Sequence, residues 1–234
     1  MEINNSSVLI TGGSSGIGKA TAKLFIAKGA KVVITGRDET KLQKTATEIG
    51  AIALHFDVSD LKSIPQKTKE ALELLGGSID VLVNNAGIGV FPLLGEITED
   101  DLVSTYSTNV FGLALLTQEL IPQFKAQQAG NIINIASTAS LKGFARGTVY
   151  AASKFAVRGM TQCWQAELRK DNIRVCLINP SEVTTAFADS ERKEKEEAIN
   201  KIGALDIATS IISVVEMRDK AFVPEITVWA TNPF

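Results

Sequence analysis

Tyr150 and Lys154 stand four residues apart in the run Tyr-Ala-Ala-Ser-Lys-Phe-Ala-Val, residues 150–157. In a helix that spacing stacks the two side chains on one face. Both groups ordinarily titrate near pH 10. Such a pair either decorates a surface, as chance pairs in any helix-rich protein do, or makes a phenol's proton available for acid–base chemistry. The second use requires the phenol to fall from about 10 to about 7, which takes about 4 kcal/mol of differential interaction. A nearby cation in a water-poor cleft acts in that direction. Ser137, thirteen residues before Tyr150, is a strand-end turn residue whose hydroxyl has the chemistry to orient a polarised oxygen.

The elements that must hold these residues follow from the hydrophobic period, which switches repeatedly along the chain. Short apolar runs at 7–11, 31–35, 51–56, 79–83, 131–135, 173–178 and 226–229 predict strands. Helical spacing predicts helices over 16–29, from Asp38 to Gly50, and over 60–75, 98–128, 147–170 and 205–217. Thr98 and Asp101 form a capping-box pattern at the start of the longest helix. Alternation of this kind implies one α/β domain over 1–234: a doubly wound, Rossmann-like parallel sheet of about seven strands with helices on both faces. The charged segment around 184–203 is expected to be a mobile substrate loop. In such sheets ligands lie beyond the carboxyl ends of the strands, so the residues after each strand carry the chemistry.

Composition narrows the function classes. Hydrophobic residues make up 45% of 234 residues, enough for a packed core, and the net charge of −2 gives no reason to expect nucleic acid. No apolar run reaches the ~18 residues that span a bilayer. Residues 1–5 lack the basic start and apolar stretch of a secretory signal, so a cytoplasmic location is expected. The one histidine, His55, rules out a His-rich metal site and a His-based triad, and no metal is expected. Cys163 and Cys176 read as buried, unpaired thiols of a reducing compartment.

After the first strand comes Thr11-Gly12-Gly13-Ser14-Ser15-Gly16-Ile17-Gly18. Glycines let the backbone turn tightly and approach a pyrophosphate, while the following helix aims its free N–H groups at it. The end of the second strand, which faces the adenosine ribose, carries Thr35-Gly36-Arg37 in place of an acidic residue. An arginine fork suits a 2′-phosphate and favours NADP(H) over NAD(H). Asp38 reads either as a helix cap or as a ribose ligand, which keeps NAD(H) open.

The spacing G-x-x-x-G-x-G, together with Asn84-Asn85-Ala86-Gly87, Asp57-Val58, Ser137 and Tyr150-x-x-x-Lys154, resembles the short-chain dehydrogenase/reductase family over essentially the whole chain. The resemblance implies Tyr150 as acid/base and Lys154 as the group that, together with the positive ring of the oxidised nicotinamide, lowers its pKa, and that holds the nicotinamide ribose. It implies Ser137 as the carbonyl-orienting residue, and Asn109 as the residue whose backbone carbonyl positions a water in a proton relay. It further implies a cofactor site built from Gly12, Ser14, Ser15, Gly16, Ile17, Gly18, Arg37, Asp57, Val58, Asn84, Ala86, Gly87, Tyr150, Lys154, Pro180, Val183 and Thr185. Ser181 departs from the family's usual Pro-Gly pair, which predicts an altered loop path.

Phe91, Leu93, Leu141, Phe144 and Phe187 are the candidate pocket residues and suit a modest ketone or acyl substrate. In look the chain is most similar to the 3-oxoacyl-acyl-carrier-protein reductases. That implies NADPH-dependent reduction of a 3-oxoacyl thioester within fatty acid biosynthesis, with Arg146, Arg169 and Lys170 as candidates for docking an acidic carrier protein. Two other readings stand beside it: an NAD(P)-dependent alcohol or polyol dehydrogenase, and a non-catalytic dinucleotide-binding regulator. The resemblance also implies a homodimer or homotetramer, for which Val110, Phe111, Leu113 and Leu116 are interface candidates, and the apolar tail from Trp229 is a further contact.

Overall fold

A computed structural model of the chain describes all residues except 186, 188–197, 199 and 234. Seven strands, β1 (Ser7–Ile10), β2 (Lys31–Gly36), β3 (Ile52–His55), β4 (Val81–Asn84), β5 (Gly130–Ile135), β6 (Ile173–Pro180) and β7 (Glu225–Val228), form one parallel sheet. Their order is β3-β2-β1-β4-β5-β6-β7. The chain runs outward from β1 to β3, then returns to the other side of β1, so the sheet's direction of growth reverses between β1 and β4. That reversal opens a crevice at the carboxyl ends of the strands.

The helices are α1 (Gly16–Ala27), α2 (Glu39–Ile49), α3 (Ile64–Leu75), α4 (Glu99–Tyr106), α5 (Leu113–Gln127), α6 (Thr148–Leu168) and α7 (Ala204–Val215). Both sheet faces are covered because the strands are apolar at successive positions, which point to opposite sides. Val8, Ile10 and Ile34 pack with Phe25, Ile207 and Ile211 under α1 and α7. Leu9, Val33, Leu82 and Ile132 pack with Leu116, Leu120 and Phe124 under α3 and α5.

The expected helix over 98–128 forms, but it is not α-helical throughout. It starts as predicted, with Thr98 accepting from the Asp101 N–H at 3.1 Å and Asp101 accepting from the Thr98 N–H at 2.9 Å. After α4, residues Ser107–Gly112 widen into a π-helical turn before α5 resumes. Gly112 explains the placement: a Cβ there would lie 2.2 Å from the Val58 carbonyl oxygen, so the helix meets the end of β3's loop at a residue with no side chain. The helix expected over 60–75 begins only at Ile64, with Pro65 in its first turn. Cys176 is buried as expected, but Cys163 is exposed, on the outer side of α6. Most of the expected mobile loop falls outside the described residues. Its described ends are tied together, Thr184 N–H donating to the Ile202 carbonyl at 3.0 Å and Glu182 pairing with Lys201. No helix among the described residues is long and apolar enough to cross a membrane, and no group of His, Cys, Asp or Glu among them could hold a metal ion.

Candidate active site

The crevice is a cleft of about 1340 Å³ that runs from Arg37 at one end to Tyr150 and Phe187 at the other. Its floor is the glycine turn after β1. Gly12 has φ of +66°, and a Cβ on it would sit 2.9 Å from Ala86 Cα. The turn therefore nests against the Asn85-Ala86 corner as only glycine allows. Thr11 holds that corner: its Oγ1 accepts from the Asn85 and Ala86 N–H groups, each at 3.0 Å. Ser15 precedes α1 without capping it through its side chain, and the first turn of α1 carries no acidic residue. An uncapped, positive helix end beside a glycine cradle fits a pyrophosphate.

At the adenosine end, Arg37, Asp57 and Val58 line the cleft, with Ser14 beside Gly36. Asp57 is held by Ser59, whose N–H and hydroxyl both donate to its Oδ1, at 2.9 and 2.7 Å. Asp38 accepts from the Lys41 N–H at 2.9 Å and caps α2, and it lines the same cleft as Arg37. His55 has its structural role here: its Nε2 pairs with the Arg37 carbonyl at 3.0 Å, behind the arginine.

At the other end, Ser137 leaves β5 and opens a single 3₁₀ turn, Thr138–Ser140. Its Oγ accepts from the Ala139 N–H at 3.1 Å, which leaves the hydroxyl hydrogen for Tyr150. Tyr150 and Lys154 lie in the first two turns of α6 and are 9% and 4% exposed. The Lys154 Nζ donates to the Ile135 carbonyl at 2.9 Å and sits 5.8 Å from the centre of the Tyr150 ring. Burial pushes the Tyr150 phenol up to about 12, against the pull of the Ser137 hydrogen bond. Burial also pushes Lys154 down to about 8. The lowered phenol expected from the spacing is thus not produced by the chain's own groups. Desolvation of the phenolate outweighs the Ser137 hydrogen bond, and the Lys154 ammonium is held at a backbone oxygen. At neutral pH the site holds a neutral phenol and an ammonium.

Gly12, Ser14, Ser15, Gly16, Ile17, Ala86, Gly87, Pro180, Val183 and Thr185 line the same cleft. Three expected site residues do not. Asn84 turns inward, its Nδ2 donating to Thr117 Oγ1 and Asn134 Oδ1, both at 2.9 Å. Asn85 lines the cleft in its place and donates to the Thr11 and Gly12 carbonyls. Strand alternation was the available signal, since Asn84 shares a face with Leu82. Gly18 lies behind the turn, where a Cβ would be 2.4 Å from the Gly12 carbonyl oxygen. Asn109 is 1% exposed and braces the site from behind the π-helical turn. Its amide accepts from the Ile88 N–H and donates to the Ile88 carbonyl and to Ser153 Oγ. A Cβ on Gly87 would touch both Asn109 Oδ1, at 3.3 Å, and Lys154 Nζ, at 3.6 Å, so these three positions converge.

Ser181 takes no left-handed conformation; its N–H continues the ladder to the Val228 carbonyl at 2.9 Å, so a serine fits where glycine was expected. Phe91, Phe144 and Phe187 line the cleft, whereas Leu93 and Leu141 do not. The Phe91 and Phe187 rings lie 5.4 and 5.6 Å from that of Tyr150. Of the expected interface residues, Val110, Leu113 and Leu116 belong to the core, while Phe111 and Trp229 are exposed.

A parallel sheet with a pyrophosphate cradle at its reversal point, and a Ser-Tyr-Lys group with buried tyrosine and lysine at the far end of the same cleft, defines a dinucleotide-dependent oxidoreductase of CH–OH and C=O groups. The family model for short chain dehydrogenases matches residues 6–196, and the chain belongs to that family. It is 35% identical to the 3-oxoacyl-[acyl-carrier-protein] reductase of Thermotoga maritima, over 86% of this chain and 84% of that protein. It is 32% identical to the NADP-dependent 3-hydroxy acid dehydrogenase of Schizosaccharomyces pombe, over 98% and 94%. Among solved structures it is similar to an alcohol dehydrogenase of the archaeon Thermococcus sibiricus complexed with 5-hydroxy-NADP, with a TM-score of 0.89, 26% identity and 97% of each chain covered.

Proposed function

We propose that the protein reduces a carbonyl with NADPH, and that a 3-oxoacyl thioester is its substrate class. The observation that carries this reading is a proton-bearing phenol, hydrogen-bonded by Ser137 and backed by the Lys154 ammonium, in a wall of three phenyl rings. Reduced nicotinamide supplies the hydride when bound. Arg37 faces the ribose end to meet a 2′-phosphate while Asp38 is engaged as a cap. Ser137 orients the carbonyl oxygen, and Tyr150 gives it a proton. The phenolate so formed is stabilised by the ammonium of Lys154. Phenyl walls favour an acyl chain over a polyol, whose hydroxyls would find few partners there. Both relatives named above act, by their names, on oxygen at the third carbon of an acid.

The test is steady-state turnover of acetoacetyl thioesters, simple ketones and polyols with NADPH and NADH. The expected order is thioester over ketone over polyol with NADPH preferred, and Tyr150→Phe should lose about 10²–10⁴-fold in kcat while still binding NADPH. Protein that binds NADPH yet shows no turnover removable by Tyr150→Phe would refute the reading. The same reading includes a homodimer or homotetramer. Leu102 and Val103 on α4, Phe111 on the π-helical turn and Phe155 on α6 expose apolar side chains on adjoining elements, and light scattering checks the assembly.

A further inference from the structure

The turn that carries Ser137 is short, and its own hydrogen bonds are local: the Ser140 N–H donates to the Ser137 carbonyl at 2.8 Å. A hydrogen bond ties it to the sheet through Ser140, which is completely buried and whose hydroxyl donates to Asn179 Oδ1 at 2.8 Å, while Ala139 packs against Tyr150 and Ala151. Asn179, also completely buried, is near the end of β6, just before the loop of Pro180, Val183 and Thr185. Its Nδ2 donates to Glu225 Oε1 at 2.8 Å and reaches Thr227 Oγ1 at 3.5 Å. The other oxygen of Glu225, the first residue of β7, lies 3.3 Å from Arg158 NH2. Arg158 sits on α6 one turn beyond Lys154 and two beyond Tyr150, on the same face.

The polarity of this chain is forced. A carboxylate only accepts, so the Asn179 nitrogen must face Glu225 and its oxygen must face Ser140, whose hydroxyl must then donate. The series Arg158–Glu225–Asn179–Ser140 therefore closes a loop from the helix that carries the phenol back to the turn that carries the serine.

We propose that Ser140, Asn179 and Glu225 are positioning residues for Ser137, setting its distance from Tyr150 through this cross-link between α6, β7, β6 and the turn, buried at Ser140 and Asn179 and partly exposed at Glu225 and Arg158. None of the three lies in the wall beside the phenol, so each acts through the serine. The proposal rests on Ser137 as the carbonyl-orienting residue.

The test is a double-mutant cycle with Ser140→Ala and Ser137→Ala, reading kcat for acetoacetyl thioester reduction and NADPH affinity by fluorescence. Ser140→Ala should lower kcat about tenfold, the scale of a sub-ångström misplacement, with NADPH affinity changed less than about twofold. In the Ser137→Ala background it should lower kcat less than about twofold further. An equal loss in both backgrounds, or none in the first, overturns the proposal. A crystal structure of Ser140→Ala gives an answer independent of turnover: Ser137 Oγ should be displaced relative to the Tyr150 hydroxyl, and an unmoved Ser137 also overturns it. If the wild type reduced no carbonyl, the proposed function would fail, and the displacement of Ser137 would still decide the positioning.

Discussion

Lys154→Met should make the protein more stable at neutral pH while removing its turnover. The buried ammonium binds its proton less tightly in the fold than in the unfolded chain, its pKa falling from 10.5 to about 8. At about 1.4 kcal/mol per factor of ten in proton affinity, the charge works against folding by roughly 3 kcal/mol below pH 8. Methionine removes that penalty at similar volume. It also takes away the donor that meets the Ile135 carbonyl at 2.9 Å, which costs about 1–3 kcal/mol for a buried acceptor. The net at pH 7 is a gain of about 1 kcal/mol, or about 2–4 °C in Tm for a chain of this size.

The sign reverses with pH. Between 8 and 10.5 the unfolded chain holds the lysine proton that the fold has shed, so wild-type stability rises with pH relative to the variant. Above 10.5 only the lost hydrogen bond remains, and the wild type becomes the more stable. Tyr150, raised to about 12, acts oppositely above pH 10 but equally in both proteins, so it cancels in the comparison. Denaturant unfolding of both proteins at pH 7, 9 and 10.5, beside a turnover assay, checks this. A variant that is less stable at pH 7, with a difference constant up to pH 10.5, would refute the reasoning.

Arg37→Ala should raise KM for NADPH about 10–100-fold and leave NADH almost unchanged, the loss expected for charged hydrogen bonds to a phosphate; paired kinetics with the two cofactors read it. Asp38→Ala should cost about 1 kcal/mol of stability through the lost α2 cap without altering either cofactor's KM, which thermal melts and the same kinetics separate. Gly18→Ala should destabilise by about 1–3 kcal/mol or prevent folding, because its Cβ would stand 2.4 Å from the Gly12 carbonyl oxygen; circular dichroism melts measure it.

Part of this site was legible from spacing. The strand ends and the glycine turn follow from periodicity and backbone stereochemistry, which act between near neighbours in the chain, whereas the roles of Ser137, Tyr150 and Lys154 came from the family resemblance. Those rules could also have separated Asn84 from Asn85, because alternation along β4 sends Asn84 to the face of Leu82 and into the core. The bond that makes Asp38 a cap spans only three residues and was legible in the sequence, whereas its place in the cleft lining beside Arg37 came from the fold.

The rest depends on distance in space. The π-helical turn over Ser107–Gly112 exists where a helix meets the Val58 carbonyl, which precedes β4 in the chain, and no local pattern announces it. The upward push of burial on Tyr150 is not legible from spacing, because a pKa sums the burial of a group over everything packed around it, while an i, i+4 pattern reports one neighbour. The cross-link from Arg158 to Ser140 joins residues of four separate elements. Sequence thus determined which chemical groups this protein places at the ends of its strands, since that is set by local periodicity. Only the packed structure decided their protonation and their bracing, since those are set by which distant atoms exclude water.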